Sequence, residues 1–570
     1  MLSSQEMTLK TPLRFALPDF FSGRAQITAD LTAGVTVGMV LVPQSMAYAA
    51  LAGMPPEAGL YAASFACIVG ALFGYCAQVN TGPVAMTSLL SFAALAPLAT
   101  PGSADYLSLA AILAILVGVV RVLIGCLRGT FLVALISLPV LTGFTAAAGI
   151  TIACTQLPKF FLLPEQSENP LCNVILMIGQ IGESHLPSLG MGMGCLMIMI
   201  MFKKFLPRWP GLLIAMVVAT IISWLVGYEN PTIGGQVVGH LPQGLPAFSW
   251  PTHGWGAVPE LLPGALLVAV IGLLEVMTVT STVERSLGKS TDLNLEIVGQ
   301  GVASMTAGVT GGFPVSGSLS RSSLNLLAGA KTGLSSVVSG LVVLLTLLIL
   351  TPLLEPLPYP ALAAAIVMAV SALIRPKEIL IAWNLKKSDG IFAVLTLVST
   401  LAAAPDMVVG MMIGIGAAVL WFIYNVMNPR CLVLSRDEDG RWSAAQNPSD
   451  PVEVERGGVV VYRVDARLNF LNSRVALNRI KGHVESRESY PACVFCTSSI
   501  NDIDATGCEV LVEMKKLMDA RGQRLILADV KAPLRAVFER HPVLSSLESA
   551  PSIDGALDLI RRDDQPAWSI

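Results

Sequence analysis

This 570-residue sequence has little charge: Asp, Glu, Lys and Arg together make up 13% of it. An ordinary soluble domain carries about 25%. Over such a length that scarcity excludes a large soluble enzyme, a nucleic-acid binder and a disordered chain. Metal-ligand spacing is missing too. The ten cysteines are scattered, several in apolar runs, and no spacing repeats. Cys493 and Cys496 form one C-x-x-C inside an apparent core strand, where buried structural thiols are expected rather than a metal or redox site. No cofactor is therefore expected. Up to Arg24 the N-terminus is polar and mixed without an apolar stretch, so no cleaved signal peptide is predicted. No catalytic constellation is found either, which argues against an enzyme.

What is present is hydrophobicity, at 54% of residues, and it is unevenly placed. From Arg430 to Ile570 more than a quarter of the positions are charged, against fewer than one in ten before Arg430. That contrast predicts a polytopic membrane unit over 31–428 after a cytoplasmic N-terminus (1–30), then a linker (429–456) and a soluble domain (457–565). Apolar stretches near 31–52, 56–75, 83–97, 104–127, 130–157, 186–206, 211–228, 261–284, 294–311, 315–329, 334–354, 361–375, 389–404 and 407–428 make fourteen segments, most of them able to cross a core of roughly 30 Å. The two that follow Pro83 and Pro314 are too short to cross as full helices.

Basic residues check the count. With the N-terminus inside, alternation puts Lys10, Arg14, Arg24, Arg128, Lys203, Lys204, Arg208, Arg285, Lys289, Lys331, Arg375, Lys377, Lys386 and Lys387 on the cytoplasmic side. Only Lys159 falls outside, and 209–284 has no Lys or Arg. This asymmetry obeys the positive-inside rule, and an even count returns the soluble tail to the cytoplasm. A plasma-membrane or bacterial inner-membrane protein with both termini cytoplasmic is the expectation.

Two breaks in the apolar pattern are alike. One reads Asn80-Thr81-Gly82-Pro83-Val84-Ala85-Met86-Thr87-Ser88, the other Gly311-Gly312-Phe313-Pro314-Val315-Ser316-Gly317-Ser318-Leu319-Ser320-Arg321. Glycine before proline suits an extended segment turning into a first helical position. The first amides of a helix are unpaired and carry partial positive charge, so they attract anions. Paired interrupted segments in two halves of a transporter point to a binding site at mid-membrane. The offset that carries Pro83 to Pro314 also carries Gln44 to Glu275. An inverted internal repeat of seven segments explains both.

Arg321 and Glu275 are the charges least at home in lipid, and such groups mark a pathway or a pair. Arg321 would add positive field beside the second helix start; the alternative is a structural or snorkelling arginine. Glu275 could carry a proton, or serve as a neutral hydrogen-bond donor to a neighbouring helix. Arg121, near a cytoplasmic span end, is read as snorkelling. The hydroxyls of Thr87, Ser88, Ser316, Ser318 and Ser320 either coordinate an oxyanion or mediate helix packing.

The run Pro43-Gln44-Ser45-Met46-Ala47-Tyr48-Ala49-Ala50-Leu51-Ala52-Gly53-Met54-Pro55-Pro56-Glu57-Ala58-Gly59-Leu60-Tyr61-Ala62 resembles the signature of the sulfate permease (SulP) family of anion transporters. So do Thr81 to Ala85, Gly143-Phe144-Thr145, Asn294-Leu295-Glu296 with Gly299-Gln300-Gly301, and Phe313 to Ser322. The resemblance implies fourteen segments in two inverted seven-helix repeats, divided into core and gate domains, with homodimerisation and elevator-type movement. It places the substrate between the starts of the third and tenth segments, at Val84, Ala85, Ser318, Leu319 and Ser320, with Gln44 and Glu275 lining the pocket. Some members have an aromatic residue where this chain has Val84, which implies a wider or less apolar pocket here.

In the tail, 459–464, 492–497 and 524–530 read as strands, with helices at 504–521, 532–540 and 553–562. That is a small α/β domain without a nucleotide-binding glycine loop. Ile500-Asn501-Asp502-Ile503-Asp504-Ala505-Thr506-Gly507 resembles the hallmark loop of STAS domains, whose anti-sigma factor antagonist relatives carry a phosphorylated serine at the position of Thr506. Thr506 is thus either a regulatory phosphosite, with a cytosolic partner for the domain, or a helix-capping hydroxyl.

The function expected is proton-coupled sulfate uptake, with the anion held by the two helix starts, by Gln44 and by Arg321, and the proton on Glu275. Its partners would be the small anion, the coupling ion, membrane lipid and a second copy of the chain. Sodium-coupled bicarbonate or dicarboxylate uptake, an uncoupled exchanger or channel, and a scaffold or sensor are the competing readings. An enzyme is not expected, and no fused carbonic anhydrase signature is found either.

Overall fold

The structure is a computed structural model that describes residues 24–130, 137–164, 166–167, 169–206, 209–288, 290–371, 373–404, 406–436, 440–444, 459–485 and 492–563. Lys10, Arg14, Arg208, Lys289, the N-terminal stretch through residue 23, positions 437–439 and 445–458 of the expected linker, and the last residues of the expected soluble domain lie outside them. The chain falls into two compact units, Met1–Ala418 and Val419–Ile570.

The first unit is helical. Its first half comprises α1 (Arg24–Leu51), α2 (Pro56–Phe73), the two-residue strand β1 (Thr81–Gly82), α3 (Ala85–Leu95), α4 (Ala104–Cys126), α5 (Leu138–Phe161), a short α6 (Pro170–Ile178), α7 (Leu186–Phe205) and α8 (Gly211–Val226). The second half follows with α9 (Val258–Leu287), α10 (Leu293–Val309), β2 (Ser316–Gly317), α11 (Leu319–Leu327), α12 (Leu334–Leu345), a π-helical turn and α13 (Thr351–Leu354), α14 (Tyr359–Ser371), a short α15 (Pro376–Leu385), α16 (Lys387–Ala403) and α17 (Met407–Met427), the last running past the boundary between the units. Eight of these helical stretches are long and apolar enough to cross a membrane alone. With α6 and α15 set aside, and α12 and α13 taken as one span, the described segments number seven per half.

Local chemistry sets the starts. Ser103 caps α4 by accepting from the Tyr106 amide, Asp292 caps α10 through the amides of Asn294 and Leu295, and α2 has proline at its first position. Packing reveals the repeat. The contact of α1 with α12 has its counterpart in α9 with α4, that of α2 with α12 in α10 with α4, and that of α3 with α9 in α11 with α1. The pairs α2–α10, α5–α14 and β1–β2 match themselves on exchange of the halves, and β1 pairs β2 antiparallel, as a two-fold axis between inverted halves requires. Helices α1–α4 and α9–α12 form one packed group; α5, α7, α8, α14 and α16 belong to the other, which α1 touches at α14 and α8 and α3 touches at α5.

The repeat register differs from the one the prolines suggest. The step from Thr81, where β1 begins, to Ser316, where β2 begins, is longer than the step from Pro83 to Pro314, and so is the step between the caps Val84 and Ser318. Pro83 lies one residue before its helix cap, whereas Pro314 leads into β2 and the helix begins only at Leu319. The Gln44–Glu275 coincidence is therefore not a repeat equivalence.

Arg121 also departs from expectation. It is fully buried, its Nη1 donating to the Val315 carbonyl at 2.5 Å and its Nη2 to the Val268 carbonyl at 3.3 Å. It bonds inward to backbone and does not snorkel. The approach depends on Gly272, where an added Cβ would fall 1.8 Å from Nη2.

In the second unit a six-stranded sheet has the order β4-β3-β5-β6-β7-β8, formed by β3 (Cys431–Arg436), β4 (Trp442–Ala444), β5 (Val459–Val464), β6 (Ala492–Cys496), β7 (Arg524–Ala528) and β8 (Glu548–Ala550). β5 to β8 run parallel, joined through α18 (Ser473–Glu485), α19 (Ala505–Ala520) and α20 (Ala532–Phe538), with α21 (Ile553–Asp563) last. β3 and β4, inside the stretch read as linker, are antiparallel partners at the edge. Cys493 and Cys496 are both buried free thiols but pack into opposite faces of the sheet, as an i, i+3 spacing on a strand dictates. Asp504 caps α19, accepting from the Gly507 amide at 2.8 Å and from the Phe470 amide at 2.8 Å. Thr506 is a first-turn residue and not the cap.

Candidate anion site at the paired helix starts

The β1–β2 ribbon brings the two breaks together. Thr81 faces Gly317 and Gly82 faces Ser316; the ribbon is extended by the Ser318 amide donating to the Asn80 carbonyl at 3.0 Å. Each strand leads within a few residues into a short helix, eleven residues for α3 and nine for α11. A second layer fixes β1. Buried Glu296 on α10 accepts from the amides of Tyr75 and Cys76, both at 2.8 Å, and from Gln300 Nε2 at 2.8 Å. The same Nε2 reaches the Thr81 hydroxyl at 2.8 Å.

Helix α3 starts at Val84, whose apolar side chain caps nothing, so the first amides of α3 have no side-chain acceptor. Ser318 caps α11 weakly, accepting from the Arg321 amide at 3.4 Å. The hydroxyls of Thr87 and Ser88 turn back to the Val84 carbonyl at 3.2 and 2.8 Å, and that of Ser316 donates to the Gly272 carbonyl at 3.4 Å. A hydroxyl has one hydrogen to donate, so those of Thr87 and Ser88 are spent on the backbone, while Ser316 also lies within hydrogen-bonding reach of the Glu275 carboxylate. Ser318 and Ser320 share one hydrogen bond at 3.3 Å, which leaves one hydroxyl proton of the pair to give. Ala85 is half-buried, Leu319 and Ser320 are exposed, and Val84 and Ser318 are buried beside them.

Arg321 is the centre of the arrangement. It is 1% exposed; Nε donates to Asn80 Oδ1 at 2.9 Å, and Nη1 to the Pro83 carbonyl at 2.9 Å and to Gln44 Oε1 at 3.2 Å. Gln44 in turn donates to the Tyr48 hydroxyl at 3.0 Å, one helical turn on. The remaining nitrogen, Nη2, is buried with no hydrogen-bond partner and lies 3.2 Å from where a Cβ on Gly82 would stand. Glu275 on α9 is half-buried, its Oε2 without a hydrogen-bond partner and both Arg121 and Arg321 within electrostatic reach. A buried guanidinium nitrogen left unbonded is costly, so Nη2 is open to a further acceptor.

The structure thus draws together Gln44, Val84, Ala85, Glu275, Ser318, Leu319, Ser320 and Arg321 around one ribbon, while Thr506 is in the other unit. Asn80 and Tyr48, which orient Arg321 and Gln44, were not singled out from sequence; Asn80 immediately before Thr-Gly-Pro, and a tyrosine four residues after the glutamine, were the signals.

Comparison with known proteins gives consistent matches along the chain. A family model described as "Sulfate permease family" matches residues 27–396, and a STAS domain model matches 450–556. The chain is similar to a chloroplastic sulfate transporter, "Sulfate transporter 4.1", of Arabidopsis thaliana, at 31% identity over 90% of this chain and 76% of that protein. It is also similar to a probable sulfate transporter of Mycobacterium tuberculosis, at 29% identity over 92% of this chain and 93% of that one. Among solved structures, the murine Solute Carrier 26 family member A9 anion transporter in its inward-facing state superposes with a TM-score of 0.85 at 21% identity, covering 98% of this chain and 96% of the other. That likeness carries the two-repeat membrane fold with its C-terminal STAS domain.

Proposed function

The chain belongs to the sulfate permease family, a family of membrane transporters rather than enzymes, and from that premise we propose that it is a secondary active transporter of an inorganic dianion, sulfate, driven by protons. The observation that carries the reading is the unpartnered Nη2 of buried Arg321 beside two convergent helix starts. Charge balance favours a dianion. Two helix starts of about half a charge each and one guanidinium sum to about two positive charges. Names of the similar plant and mycobacterial proteins point the same way.

In this reading the amides of Ala85, Leu319 and Ser320 face the oxyanion, the Ser318–Ser320 pair gives one hydroxyl hydrogen, and Arg321, oriented by Gln44 and Asn80, supplies the formal charge. Import into a cell interior at −100 mV costs about 2.3 kcal/mol per charge, hence about 4.6 kcal/mol for a dianion. Glu275 is assigned the coupling proton: protonated, it removes a like charge from the site; on the cytoplasmic side it releases the proton to water as sulfate leaves. Alternating access is by movement of the α1–α4/α9–α12 group, carrying the site, past the other group. We assign the chain a homodimer in a plasma or bacterial inner membrane, with the Lys- and Arg-rich loops and both termini cytoplasmic. Domain limits are taken as 1–30, 31–428, 429–456 and 457–565, with β3 and β4 of the 429–456 stretch pairing onto the sheet of the last, and Thr506 is taken as a regulatory phosphosite facing a cytosolic partner.

Labelled sulfate uptake into proteoliposomes under imposed gradients tests this. Accumulation is expected with an inward proton gradient and unchanged on replacing sodium. Accumulation that needs sodium, or bicarbonate outcompeting sulfate, would transfer the assignment to sodium-coupled bicarbonate uptake. Counterflow without net accumulation in any gradient would make the protein an exchanger.

A further inference from the structure

We propose that Arg121 is the internal counter-charge of Glu275: it neutralises the carboxylate once Glu275 has given up its proton, and so sets the pH range of transport. The proposal rests on the proton-coupled reading of Glu275 and adds a residue to it.

Three observations lead there. Arg121 is fully buried and bonds two carbonyls, yet its Nε has no hydrogen-bond partner. Glu275 Oε2 is buried and likewise unpartnered. The guanidinium is admitted to α9 by Gly272, and Gly272 and Glu275 are three residues apart, so they share a helix face. No ion pair within 4 Å joins Glu275 to a cation among the described residues, though Arg121 and Arg321 both act on it electrostatically. The two groups are therefore near neighbours, each with an unused hydrogen-bonding atom, and not a closed salt bridge.

Two carbonyls do not require a formal charge of their donor, since a neutral donor also bonds them and is less costly to bury. A positive charge retained at such depth calls for a negative one. Arg321 is taken up by Asn80, Gln44, the Pro83 carbonyl and the anion, so Arg121 is the cation left for Glu275. The other cation facing Glu275, Arg321, acts on it less strongly than Arg121 does. Around Glu275, α1 contributes Tyr48, α4 Arg121, α11 Arg321 and β2 the Ser316 hydroxyl. Helix α3 holds no titratable residue, and Glu296 on α10 is bonded to Tyr75, Cys76 and Gln300. Arg121 also donates to Val315, the residue before β2, so the charge partner of the coupling acid is tied to the strand that leads into α11. In the empty carrier the nearby Arg121 charge offsets the carboxylate; protonation removes the need for that offset, and anion and proton load together.

The test uses the full-length protein with Arg121→Gln, Arg121→Lys, Glu275→Gln and the Gln/Gln double variant. Removing the cation makes the carboxylate costlier, so Arg121→Gln is expected to move the pH profile of sulfate uptake towards alkaline pH by about one unit or more, a tenfold change in proton affinity. Arg121→Lys is expected to restore the profile. Melting temperatures of the purified variants form a cycle independent of transport. Arg121→Gln is expected to lower the melting temperature in wild type and much less in the Glu275→Gln background. A wild-type pH profile in Arg121→Gln, melting shifts that simply add, or failure of both the single and the double variant to fold would each overturn the proposal and leave Arg121 a structural brace. If wild type accumulates no sulfate, the functional reading falls while the melting cycle still decides whether the pair is coupled.

Discussion

Replacing Arg321 by glutamine probes the site at its centre. The substitution removes a charge, the bonds to Asn80 and the Pro83 carbonyl, and the free Nη2, while a glutamine amide could keep one bond of the set. Hydrogen bonds to charged groups contribute about 1.5–3 kcal/mol each. Loss of one such bond to the anion, with the attraction behind it, is worth about 3 kcal/mol, or on the order of a hundredfold in Kd. Arg321→Lys keeps the charge without the planar fork, so its loss should fall between wild type and glutamine, about tenfold. Binding of labelled sulfate to purified protein in nanodiscs reads this directly. Thermal melting in the absence of sulfate is the control, because either variant disturbs the bonds to Asn80 Oδ1 and the Pro83 carbonyl. A folded Arg321→Gln protein that binds sulfate as wild type does would refute the reasoning.

Further outcomes follow from the same geometry. Gly82→Ala places a methyl 3.2 Å from Arg321 Nη2, tighter than ordinary contact, so sulfate affinity should fall several-fold in binding assays with little change in melting temperature. Asp504→Ala removes the cap of α19 and the acceptor for the Phe470 amide, and should cost the 419–570 unit about 1–2 kcal/mol in denaturant unfolding. Burial pushes the Cys493 thiol up to about 12, so near neutral pH it is protonated in the fold and should resist alkylating reagents until the unit unfolds. Cys126, exposed in the first unit, is the labelling control.

How far the sequence could be read depended on whether the signal was local. Spans long enough to cross a membrane, and proline–glycine breaks at 82–83 and 312–314, are written in runs of adjacent residues, and the segments follow them. The register of the repeat was not legible, because Pro314 marks entry to β2 while the start of α11 is signalled only by Ser318, one hydroxyl among several. Arg121 was misread for a similar reason. Its depth depends on Gly272, a missing side chain on a helix of the other half, and nothing beside Arg121 in the chain announces it. In the tail, β5, β6 and β7 are apolar enough to stand out, whereas β4 and β8 are three residues each and α18 is mostly polar. Thr506 looked like a capping hydroxyl until the geometry gave that role to Asp504, two residues earlier.

The claim underlying the whole account is that an anion is held where α3 and α11 begin, against Arg321. A structure of the protein in nanodiscs at saturating sulfate tests it most directly. The account predicts density for a tetrahedral anion between the first amides of the two helices, within hydrogen-bonding distance of Arg321 Nη2 and lost in Arg321→Gln. Sulfate found elsewhere in the membrane unit, or the ribbon site empty at saturation, would contradict it.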